Sequence, residues 1–98
     1  MTMGLYRLDG HTPVRCDDIR DWAATMERDR TVRRDVVGDV QVSTVFLGID
    51  HNWWEGPPLL FETMVFGGPL DEETERYSTW DEAEAGHAAM LARVLAAK

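Results

Sequence analysis

Apolar and polar residues alternate with a period of two through the middle of the chain and shift to a helical period at both flanks. From Val40 to Ile49, Val40, Val42, Thr44 and Phe46 fall on one side, and Gln41, Ser43, Val45, Leu47 and Ile49 on the other. From Leu59 to Phe66, Leu59, Phe61, Thr63 and Val65 alternate with Leu60, Glu62, Met64 and Phe66. A period of two is the signature of a strand. Both sides of the first segment become apolar near its end, which predicts a central strand covered on both faces there. Thr31 to Val37 predicts a strand with one polar face, on which Arg33 and Asp35 point the same way, and Gly38-Asp39 connects it tightly to Val40. Gly67-Gly68-Pro69 ends the Leu59–Phe66 strand. Thr74 to Ser78 predicts a short antiparallel edge strand whose acids and Arg76 discourage further pairing. Near the N-terminus, Leu5 to Leu8 predicts a first strand, and Asp9-Gly10 and Thr12-Pro13 a turn region.

The helical period appears twice. Ile19, Trp22, Ala23 and Met26 lie at i, i+3, i+4 and i+7, so Cys16 to Arg28 predicts a helix with Trp22 as its core anchor. Asp17 or Asp18 can cap it by accepting from the free N–H groups of the first turn. Thr79-Trp80-Asp81-Glu82 is a capping box, in which the Thr79 hydroxyl and the Glu82 carboxylate satisfy each other's backbone donors. Behind it, Trp80, Ala83, His87, Met90, Leu91 and Val94 make an apolar stripe to about Ala97.

The sum is a single α+β domain over residues 1–98, in the order β-α-β-β-β-β-α. It predicts one small antiparallel sheet of four to five strands with helices at 17–28 and 80–96 packed on one face. Trp22, Phe46, Phe61 and Val94 are the expected core. The Leu60, Met64 and Phe66 side has no third helix to cover it, so a homodimer is expected.

Composition narrows the function. The chain of 98 residues is 44% apolar and 29% charged, as in ordinary soluble domains. No apolar run is long enough to span a membrane. The N-terminus lacks the basic and apolar regions of a signal peptide, and Cys16 is the only cysteine, which fits a reducing cytoplasm. Net charge is −8. Residues 1–38 balance seven arginines with seven acids, whereas residues 39–70 hold four acids and no base. A phosphate backbone is repelled by such a surface, which disfavours nucleic acid.

Candidate chemistry concentrates in Gly48-Ile49-Asp50-His51-Asn52-Trp53-Trp54-Glu55-Gly56-Pro57-Pro58, which separates the two apolar strands. Loops held by rigid strands are where binding residues gather. Trp53 and Trp54 can stack on a planar ligand or anchor a protein interface, or one can cap the edge of the core while the other is merely exposed. Asp50 and His51 can orient a base or bind a metal, or Asp50 and Asn52 can simply hold a turn. Glu62 stands inside an apolar run, as a base, as a metal ligand, or paired with Arg33, Arg34 or Arg76. His87 is either a core histidine bonded to a backbone carbonyl or a ligand or acid/base residue facing the sheet. No ligand set with recognised metal spacing exists, and Gly67-Gly68-Pro69 lacks the lysine and helix of a phosphate loop. Cys16 has no obvious histidine partner for a nucleophilic role.

The pattern Val42-Ser43-Thr44-Val45-Phe46-Leu47-Gly48-Ile49-Asp50-His51, then Gly56-Pro57-Pro58-Leu59-Leu60-Phe61-Glu62-Thr63-Met64-Val65-Phe66-Gly67-Gly68, then Arg76-Tyr77-Ser78-Thr79-Trp80-Asp81-Glu82-Ala83 and Gly86-His87, resembles a family of short bacteriophage and prophage proteins. The resemblance covers about half of the chain, leaves residues 1–38 outside it, and implies a small accessory protein of the host cytoplasm without implying any chemistry. Three functions are therefore expected. The first is non-catalytic binding of a host protein or a small ligand through Asp50, His51, Trp53, Trp54, Glu62 and His87, with no cofactor. The second is a metal-assisted hydrolase using Asp50, His51, Glu62 and His87. The third is an assembly protein without a ligand.

Overall fold

The architecture comes from a computed structural model that describes residues 4–97. Its elements are β1 (Tyr6–Asp9), β2 (Thr12–Arg15), α1 (Ile19–Glu27), β3 (Thr31–Val37), β4 (Val40–Phe46), β5 (Phe61–Phe66), β6 (Thr74–Tyr77) and α2 (Trp80–Ala96). The fold is α+β and antiparallel, and the order β-α-β-β-β-β-α holds once its first member is recognised as a hairpin. That hairpin pairs β1 with β2, where the sequence predicted only a turn. Pro13 is tolerated there because a two-stranded ribbon leaves half of its backbone donors unpaired.

β3 to β6 form a four-stranded sheet in sequence order. Its register pairs Arg33, Thr44, Thr63 and Glu75 across all four strands. Residues paired in this way share a face. One face therefore holds Asp35, Val42, Thr44, Phe46, Phe61, Thr63 and Val65, and α2 lies across it. Ala83, His87, Met90 and Val94, at helical spacing, are the helix residues that this packing buries. The capping box of Thr79 and Glu82 starts α2 as the sequence indicates.

Phe46, Phe61 and Val94 are buried as expected, but Trp22 is not a core anchor. It is half-buried, and its indole Nε1 donates to Gly48 O at 3.0 Å. The reason is the position of α1, which packs against β1 and the Gly48 turn instead of lying on the four-stranded sheet. Gly48 has φ +77°, and a Cβ there would collide with Met26, so the close approach of α1 depends on a glycine. α1 is also shorter than Cys16–Arg28: Asp18 caps it through the Arg20 N–H, and Ile19 of the expected stripe is exposed.

Leu60 is a further correction. It was expected on the open face with Met64 and Phe66, yet it is 1% exposed. It joins the cluster of Phe46, Phe61 and Ala83, to which Tyr6, Leu8 and Met26 also contribute, so the N-terminal unit closes this end of the sheet. The remaining open face carries Val36, Met64 and Phe66, with Phe66 47% exposed.

Candidate functional site

The loop from Asp50 to Pro58 is fixed by its own polar side chains. The Asp50 carboxylate accepts from the N–H of Asn52 at 2.8 Å and of Leu59 at 2.9 Å. Asn52 donates from Nδ2 to Pro57 O at 2.8 Å, and its Oδ1 accepts from Trp54 N at 3.0 Å. His51 donates from Nδ1 to Ile49 O at 2.9 Å, and its backbone N–H donates to Leu59 O. Asp50, His51 and Asn52 are thus committed to the turn, the local role that short polar side chains fill. The indoles are not so committed: Trp53 is 59% exposed and Trp54 86%. The loop's backbone is determined, and two large apolar side chains are left in water.

Glu62 and His87 do not join this loop, nor each other. Glu62 lies on the open face of the sheet, where its cross-strand neighbour Arg76 donates from Nε at 3.0 Å. Of the three arginines considered as partners, Arg76 is the one the register supplies. His87 is fully buried under α2 on the opposite face. Asp50, His51, Glu62 and His87 therefore do not form the hydrolase centre considered from the sequence. Among the described residues, no group of three or more His, Cys, Asp or Glu is placed to hold a metal ion.

His87 instead belongs to a polar row that crosses the sheet. Its Nε2 donates to Asp35 Oδ2 at 2.7 Å, because a carboxylate only accepts. Its Nδ1 bonds the Thr44 hydroxyl at 2.7 Å, and Thr44 bonds the hydroxyl of Thr63. The partners are side chains, not the backbone carbonyl expected from the sequence. Arg33 stands 3.7 Å from Asp35 at the outer end. An acid, a histidine and a hydroxyl in sequence match the layout that activates a nucleophile. Here His87, Thr44 and Thr63 have no exposed surface, so no substrate reaches them. The row's role is to satisfy buried polar groups, each of which would cost about 1–3 kcal/mol if left unpaired.

At its inner end Tyr77 lies over Gly86 of α2, where a Cβ would collide with the phenol ring. The Tyr77 hydroxyl is buried beside Thr63 but makes no hydrogen bond of good geometry. Burial pushes its pKa up, and the Thr63 hydroxyl pulls weakly the other way. Burial likewise pushes the Cys16 thiol up, against a smaller opposing pull from Arg7, which disfavours the thiolate that nucleophilic chemistry requires.

The residues that sequence reading missed are Asp35, Thr44 and Thr63. The signal was present: both threonines interrupt apolar faces, and Asp35 falls on the inward side of β3. No helix among the described residues is long and apolar enough to cross a membrane. No family model matches this chain, and no curated protein or solved structure shows significant similarity to it.

Proposed function

We propose that the chain is a small non-catalytic binding protein of the bacteriophage type, which docks the 50–55 loop on a host protein and blocks it. The observation that carries this reading is the exposure of Trp53 and Trp54 on a loop already ordered by Asp50 and Asn52. Exposed tryptophan is costly for solubility and is enriched among the residues that dominate protein interfaces. A pre-ordered loop loses little conformational entropy on docking. Open indoles suit a protein surface better than they suit a pocket that must enclose a small molecule. His51 and Glu55 flank the pair and supply polar contacts at its rim.

Capture from bacterial lysate tests the reading. The wild-type chain retains a discrete partner, and Trp53→Ala and Trp54→Ala each lose it while keeping the wild-type unfolding midpoint. Equal capture by all three proteins rejects the loop as the docking site.

Self-association through the open sheet face is a second reading, favoured by the exposure of Val36 and Phe66, which flank Gln41 of β4 on that face. Light scattering that gives the monomer mass at all concentrations rejects it. Phe66→Lys abolishes a dimer of this kind.

A further inference from the structure

We infer that the cleft between β6 and α2 is a second docking site, which takes an extended lysine-bearing segment of a partner protein as a fifth strand of the sheet.

The backbone supplies the first half of the argument. Among the described residues β6 pairs only with β5, so one edge of it is free of them. The N–H of Val65 donates to Glu73 O, and that of Leu60 to Tyr77 O. Odd-numbered residues of this stretch therefore point their backbone groups at β5, and alternation turns those of Thr74 and Arg76 outward. These are the groups that an added strand requires.

The side chains supply the second half. Beside this edge is a cleft of about 200 Å³ lined by Glu75, Tyr77, Gly86, Ala89, Met90 and Arg93. Tyr77 fills the space over Gly86, and Ala89 leaves the helix side of the cleft beyond it without bulk. Glu75 shares the α2 face of the sheet with its cross-strand partner Thr63, and Glu73 precedes it by two and so lies on that face as well. Arg93 reaches Glu73 at 3.5 Å and closes one end. Glu73 and Glu75 are the acids on this face, and Asp71 and Glu72, also exposed, precede them in the chain. A lysine on the added strand lays its aliphatic stem along Ala89 and Met90 and brings its ammonium to Glu75. Residues 71–77 carry four acids against Arg76, so a second copy of this stretch is repelled and a basic one is selected.

The probe is a blocked heptapeptide of alternating threonine and lysine, titrated into the full chain by calorimetry and by amide NMR. Binding shifts the amides of Thr74, Arg76 and Ala89. Ala89→Trp fills the cleft from an exposed position and weakens binding at least tenfold, with the unfolding midpoint unchanged. The same peptide N-methylated on alternate residues does not bind, and neither does its glutamate counterpart. The proposal is overturned if the lysine peptide fails to bind. It is equally overturned if the N-methylated peptide binds as well as the parent, or if Ala89→Trp leaves affinity unchanged, because charge alone then holds the peptide.

Discussion

The chain places a histidine and two threonines where water does not reach, and two tryptophans where water surrounds them. The row through Asp35, His87, Thr44 and Thr63 has the residue types of an active site but no access. The Asp50–Pro58 loop has access; Asp50 and Asn52 are spent on its own backbone, and the indoles are left exposed. Residue type alone would assign catalysis to the first region and core packing to the second. Accessibility reverses both assignments. The polar row holds α2 in one position over the sheet, and the apolar pair is the part that faces outward.

The largest break in this comparison comes from His87→Ala. It removes a buried ring and leaves both Thr44 and Asp35 without their partner, so equilibrium denaturation should show a loss of about 3–5 kcal/mol. If His87→Ala unfolds at the wild-type midpoint, the row is not what holds the helix. Gly86→Ala follows at about 2 kcal/mol, of opposite sign to the usual gain of alanine over glycine inside a helix. The cause is Tyr77, so in a Tyr77→Ala background the same substitution should become neutral or favourable. Tyr77→Phe is smaller and of the other sign. It removes a buried hydroxyl that has no partner and should raise stability by up to about 1 kcal/mol.

The pH dependence of Tyr77 follows from its raised pKa. The folded state holds the phenol proton more tightly than the unfolded state, so the contribution is complete below the ordinary tyrosine pKa and is lost as pH rises above about 10. Urea melts from pH 9 to 11 should show a steeper decline for wild type than for Tyr77→Phe. The smallest effect on folding belongs to Trp54→Ala, within about 0.5 kcal/mol for so exposed a side chain. A larger loss would make the loop part of the core and dissolve the contrast.

Much of this was legible in the chain because strand and helix periods are written in single residues. Val42, Thr44 and Phe46 lie inward, as do Phe61, Thr63 and Val65, and the Thr79–Glu82 box starts α2 where expected. What the alternation could not specify was register. Asp35 pairs with Val42 on the face that α2 covers, and its bond to His87 joins residues 52 positions apart, a contact that no period reveals. The burial of Leu60 and the partial exposure of Trp22 share another cause, the docking of the N-terminal unit at the end of the sheet. That packing joins residues more than 20 positions apart and leaves no local pattern to read.

The Asp50–Pro58 loop owes its shape to bonds among Asp50, His51, Asn52, Pro57 and Leu59, and none of these involves the side chain at position 53, 54 or 55. Substitutions at those three positions can therefore change the surface that the loop presents without changing the loop. For a protein whose target drifts under selection this is an evolvable arrangement: the frame is inherited intact while the tip is rewritten one codon at a time.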